Sequence, residues 1–141
     1  PRAADIAARV HASSHYRKMV HTAEDLTTLV LLDLDQPLPA GHSDLPHGFM
    51  LEYDSQLTVD LSAVEDKVKE IIAASLPVTY YDEGHIKIGE RIITCTGPRI
   101  HLGRTSDIKN FALRSQLCFD PLTSRYLLIG TVGTASVESE D

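Results

Sequence analysis

Asp33 and Asp35 stand at the end of an apolar run, in the stretch "TLVLLDLDQPLPAG" at residues 28–41. Two carboxylates leaving a buried segment at this spacing could act as nucleophile and acid/base partner in phosphoryl transfer. His11 and His15, in "HASSH", are four residues apart and would share one face of a helix, as two metal ligands do. His21 is the nearest third nitrogen, and no glutamate of the zinc-protease kind lies between the pair, so solvated helix histidines are expected and no metal or other cofactor. His42 and His47 fall in a proline-rich stretch. Cys95 and Cys118 have no histidine nearby in sequence to draw either thiol toward thiolate. Their alternation patterns face them apart, so neither a bridge nor a nucleophile is expected.

The richest polar constellation lies between Val78 and Leu102, which reads as a β-meander. "DEG" at 82–84 suits a three-residue hairpin loop with Gly84 in a left-handed bulge. "GE" at 89–90 and "GP" at 97–98 suit two-residue turns with glycine first. In that register Val78, Tyr80, Ile86, Ile88, Ile93, Cys95, Ile100 and Leu102 share one face, accompanied by Arg91 at a turn. On the other face Tyr81, His85, Thr94 and His101 form a row across four strands, with Lys87 and Arg99 beside it. Strands lie ~4.8 Å apart, so the histidines are two spacings from each other. That is too wide for joint metal ligation but suited to gripping an anionic or hydrogen-bonding ligand in a pH-sensitive way.

The Asp33/Asp35 stretch resembles the first motif of the haloacid dehalogenase-like phosphatases over about ten residues. The resemblance implies an attacking aspartate, a protonating aspartate and Mg²⁺ between them. Gln36 and Pro37 occupy the places of that motif's glycine and threonine, and Pro37 accounts for a strand simply stopping there. "LGRTSDI" at 102–108 resembles the glycine–arginine turn of forkhead-associated domains. That likeness implies Arg104 as a phosphate-holding side chain, although the Ser-Arg…His element and the Asn-Gly turn of the family have no match.

Elements must position these groups. Leu26–Leu34 alternates as a strand, and 36–48, with three prolines and two glycines, reads as loop. Phe49, Leu51 and Tyr53 suggest a second strand, and Leu57, Val59 and Leu61 a third. "SAVE" at 62–65 has the form of a capping box opening a helix over 62–76, with Val64, Val68, Ile71, Ile72 and Leu76 as its apolar stripe and Pro77 as its stop. Leu113, Leu117 and Phe119 lead into the turn "DPLTS", and Tyr126–Val132 lead out. The expected fold is α+β: a largely antiparallel sheet, the helix packed on the meander's apolar face, and a frayed N-terminal helix. The expected division is a basic helical segment at 1–21, one domain at 22–135 and an acidic tail at 136–141.

At 141 residues and 43% apolar content the chain can bury an ordinary single-domain core. Its net charge of −7 disfavours nucleic acid. No run approaches a membrane span. Two cysteines point to a reducing compartment, cytoplasmic, or an organelle matrix if the arginine- and serine-bearing first 21 residues are a targeting remnant. Charge is segregated: 19–66 holds ten acids and no lysine or arginine, whereas 84–125 holds seven bases against three acids. Segregation of this kind favours oriented association, within the molecule or between copies. The reading is a non-enzymatic protein-association module, a subunit or adaptor with a protein partner or a second copy. The alternative is a ligand-binding or catalytic domain using the face around His85, Thr94 and His101.

Overall fold

The computed structural model describes residues 2–94 and 101–133, with side chains from residue 15 onward. The chain is α+β. Helix α1 (Arg2–Asp33) is followed by strands β1 (Gly41–Leu45) and β2 (Gly48–Tyr53), helix α2 (Leu61–Ala74) and a hairpin pair, β3 (Val78–Asp82), β4 (His85–Ile88) and β5 (Arg91–Thr94). A 3₁₀ turn at Thr105–Asp107 precedes β6 (Ala112–Leu113), β7 (Cys118–Asp120) and β8 (Arg125–Thr131). All described pairings are antiparallel. One sheet runs β1–β2–β8, with β6 and β7 sharing the far side of β8; the other is β3–β4–β5.

The first correction concerns Leu26–Leu34, expected as a strand. It is the second half of α1, which runs from Arg2 across the 21/22 boundary to Asp33. From Met19 to Leu31 this helix is buried nearly all round, so its apolar residues are not confined to one stripe of 3.6-residue period. A short apolar run is then indistinguishable from a buried strand. The threonines that favour strands elsewhere satisfy themselves here: Thr22, Thr27 and Thr28 donate to the carbonyls of Lys18, Ala23 and Glu24. The helix closes with Asp35 in the left-handed conformation (φ 63°), Gln36 N–H donating to Leu31 O and Asp35 N–H to Leu32 O. This is a Schellman closure with Pro37 just beyond it.

The proline-rich 36–48 stretch is not loop throughout, since Gly41–Leu45 forms β1 against β2. The strand expected at 57–61 is absent, and that segment runs into α2. Ser62 is not the cap of α2. Asp60 takes that place and accepts from both Ser62 N–H and Ser62 Oγ. Glu65, freed from a capping box, accepts from Leu113 N–H at 2.6 Å and so ties α2 to β6. The apolar stripe is as expected: Leu61, Val64 and Val68 are buried, with Ile71, Ile72 and Leu76 packed against the core. The contacts of α2 run mainly to α1, to the 3₁₀ turn and to β6. Its end is set by Ser75 (φ 52°), two residues before Pro77.

One turn of the meander is as expected. His85–Ile88 pairs with Arg91–Thr94 in the expected register, and Gly89 takes the positive φ (60°) of the two-residue turn. The first hairpin differs. Asp82, not Tyr81, pairs with His85, a bulge sits between Tyr80 and Asp82, and Gly84 is not left-handed. Asp82 Oδ1 accepts from Gly84 N–H and from His85 Nδ1, which pulls the loop down to two residues. Val78, Ile86, Ile88, Ile93 and Leu102 are buried, as the apolar face requires, while Tyr80 at the edge is 63% exposed. The "GP" turn, Cys95 and Arg99 lie outside the described residues.

Candidate functional site: an outer sheet face and a histidine–carboxylate cluster

Of the expected row, the structure brings together Tyr81, His85, Lys87 and Thr94 and separates His101. His85 and Thr94 are directly paired, and the Tyr81 and His85 rings meet edge-on at 6.4 Å. Thr79, Lys87 and Ile92 form the adjacent row. On this outer face of β3–β5 Tyr81 is 60% and Ile92 46% exposed. Its charges have local partners: His85 donates to Asp82 at 2.7 Å, and Lys87 lies 3.8 Å from Glu90. The hydrogen bond from His85, reinforced by Gly84 N–H, holds the Asp82 carboxyl below its usual range.

His101 and Arg104 are elsewhere, which corrects the expected binding face. Arg104 donates to Ser75 O at 2.6 Å, and Thr105 Oγ1 to Ile71 O at 2.8 Å. They close the carbonyl end of α2, where a cation also meets the helix dipole favourably. His101 packs edge-on against Tyr80, which belongs to the core-side set of the meander, with ring centroids 6.0 Å apart. Its side chain is 3% exposed, and Nε2 lies 2.6 Å from Asp25 Oδ2, itself on a side chain 7% exposed. The next residue fastens the same segment to α1, with Leu102 N–H donating to Thr22 Oγ1 at 2.9 Å.

Asp25 belongs to a cluster that the expected strand concealed. One turn of α1 presents His21, Glu24 and Asp25. His21 Nε2 is 3.2 Å from Asp44 Oδ2, and Glu24 Oε2 is 3.1 Å from His42 Nδ1, both partners on β1. The ring of His21 is 6.5 Å from that of His101. On a helix His21, Glu24, Asp25 and Thr28 fall at i, i+3, i+4 and i+7, a polar stripe legible in sequence once the segment is taken as helical. The cluster borders a cleft of about 460 Å³, walled by Glu24, Asp25 and Thr28 of α1, by His42 and Leu51 of β1 and β2, by Thr94 of β5 and by the Leu38–Gly41 segment.

Asp33 and Asp35 do not form a phosphoryl-transfer pair. Asp35 is the left-handed residue that terminates α1, and Asp33 is held by both terminal nitrogens of Arg91, one of them at 2.9 Å. That hydrogen bonding keeps the Asp33 carboxyl below its usual range and lifts the Arg91 guanidinium further. The segregated charge is in fact joined within the molecule: Arg91 to Asp33, Arg125 to Glu52 and Asp54, and His101 to Asp25. Among the described residues no group of three or more His, Cys, Asp or Glu is placed to hold a metal ion. Among them, too, no helix is long and apolar enough to cross a membrane. Comparison with known protein families and with characterised proteins finds no match to this chain.

Proposed function

We propose that the chain is a protein-association domain whose partner covers the outer face of β3–β5. One observation carries this reading: the face exposes Tyr81 and Ile92 beside Lys87, His85 and Thr94. A tyrosine and a branched aliphatic flanked by polar groups that are already locally paired is the composition of an interface centre with its rim. The partner is a protein that brings apolar surface to Tyr81 and Ile92. The charge segregation supports the reading less than its pattern suggests, because much of it is joined internally, and salt-driven pairing of whole acidic and basic segments is therefore not the proposed mode.

The test is the double variant Tyr81→Ser/Ile92→Ser in the full chain. Both side chains are exposed, so thermal unfolding should move by no more than about 0.5 kcal/mol equivalent. Native-extract capture followed by mass spectrometry, run side by side with the unaltered chain, should lose its specific partners. Sedimentation of both proteins over micromolar to millimolar concentration separates a second copy from a foreign protein. An unchanged partner set and an unchanged sedimentation profile in the double variant would remove this face from consideration.

A further inference from the structure

We infer that the cleft between the end of α1 and the middle of α2 binds a free α-amino acid with an apolar side chain, recognising its carboxylate and its ammonium together. The inference does not rest on the association reading and uses none of the residues of the Tyr81/Ile92 patch. The cleft holds about 300 Å³ and is lined by Val30, Asp33 and Leu34 at the end of α1 and by Lys67, Glu70 and Ile71 of α2. That volume is at the small end of the range for small-molecule sites. Val30 is buried, and Leu34 and Ile71 are partly buried against the core, so the uncharged lining is aliphatic.

The charges of the lining divide into committed and uncommitted. Asp33 is committed, since both terminal nitrogens of Arg91 hold it. Lys67 and Glu70 are exposed, and among the described residues neither makes an ion pair or a side-chain hydrogen bond, with the other or elsewhere. They stand one helical turn apart, as neighbours on the helix surface. Their order explains why they do not close. A glutamate preceding a lysine is the favourable arrangement along a helix, and Glu65–Lys69 of the same helix has it and pairs at 3.2 Å. Lys67–Glu70 has the reverse order. The Lys67 ammonium is near enough to Asp33 across the cleft to add to the Arg91 hydrogen bond in holding that carboxyl below its usual range. The result is one cation and one anion, a turn apart, beside aliphatic surface. A ligand of single charge would be attracted by one and repelled by the other. An α-amino acid bears both charges on one carbon, so its carboxylate meets Lys67 and its ammonium meets Glu70 while its side chain lies on Val30, Leu34 and Ile71. Exposed ion pairs are individually weak, so the two charges and the aliphatic lining must act together, and millimolar affinity is expected.

The experiment titrates the full chain with leucine and three relatives to tens of millimolar and follows backbone ¹H–¹⁵N spectra. 4-Methylpentanoate lacks the ammonium, isoamylamine lacks the carboxylate, and glycine lacks the side chain. Leucine should saturate, with shifts centred on Val30–Leu34 and Lys67–Ile71. Each relative should bind about five-fold more weakly or worse, the equivalent of one exposed ion pair. Lys67→Gln and Glu70→Gln replace exposed side chains and should leave the thermal midpoint in place. Lys67→Gln should remove the preference for leucine over isoamylamine, and Glu70→Gln the preference over 4-methylpentanoate. Failure of leucine to saturate, or shifts centred elsewhere, overturns the site. Equal binding of either singly charged relative overturns the paired recognition, and equal binding of glycine overturns the role of the aliphatic lining. Preferences that survive both variants overturn the assignment to Lys67 and Glu70.

Discussion

His101 Nε2 sits 2.6 Å from Asp25 Oδ2, two buried side chains 76 positions apart that fasten the segment after the meander to the central helix. Removing Asp25 leaves the buried His101 imidazole without this hydrogen bond. Asp25→Ala should therefore destabilise the fold by about 3 kcal/mol or more. His101→Ala should cost less than that, and the double variant less than the sum of the two. Chemical denaturation of all four proteins measures the coupling; strict additivity would mean that the two side chains do not interact.

Arg91 and Asp33 tie the start of β5 to the end of α1, and this tie gives an acid-side pH dependence. The folded carboxyl titrates below its unfolded value, so its contribution to stability is complete above about pH 4, the unfolded range, and is lost as pH falls through the lower folded value. Asp82, also held low by His85, acts in the same direction. Arg91→Gln should flatten the decline of the unfolding midpoint as pH falls below about 4, while leaving the neutral-to-alkaline limb in place. An unchanged acid limb would show that the ion pair is not maintained in solution.

Tyr53 carries a hydroxyl into the core that meets no hydrogen-bond partner among the described residues, and burial pushes its ionisation upward. Tyr53→Phe deletes the unsatisfied group and keeps the ring. It should leave stability unchanged or raise it by about 1 kcal/mol. Thermal unfolding decides the matter, and a loss greater than that would reveal a bond made by the hydroxyl.

Gly48 lies where β2 crosses β8 most tightly: a Cβ there would stand 1.9 Å from Gly130 O, a backbone atom that has no room to yield. Gly48→Ala should cost about 3 kcal/mol, at the upper end of overpacking effects, because strands rather than side chains must separate. Gly130→Ala meets the Phe49 ring at 2.4 Å instead and should be partly rescued by Phe49→Leu. Hydrogen exchange of β2 and β8 amides provides the readout, and protection equal to that of the unaltered chain in Gly48→Ala contradicts the packing described.

Within α2, Val68 is wholly buried and Ile71 only partly so. Val68→Ala should accordingly destabilise by about 2 kcal/mol, and Ile71→Ala by no more than the low end of the 2–5 kcal/mol usual for such truncations. Denaturant midpoints order the two, and a much larger loss at Ile71 would place it deeper in the core than the fold has it.

What the sequence determined by itself was whatever rested on short-range pattern and turn chemistry. The i, i+4 stripe from Val64 marked α2, the Gly89–Glu90 turn set the β4–β5 register, and "DPLTS" marked the β7–β8 hairpin. These features are decided by residues a few positions apart, so local preference and final structure agree. The site was less legible. Asp82 looked like a loop residue, but its carboxylate captures Gly84 N–H and His85 and moves the pairing by one, which shifts Tyr81 into a bulge. Only the tertiary structure carried the helix on through Leu26–Asp33, because a segment enclosed on all sides bears apolar residues all round, and its polar stripe from His21 to Thr28 shows a period only once the helix is known. That same enclosure decided the rest. Asp25, His42 and His101 come from a helix, a strand and a connection that nothing local relates, and they meet because burying Leu26 and Leu31 sets this turn of α1 against both β1 and the 101–102 segment.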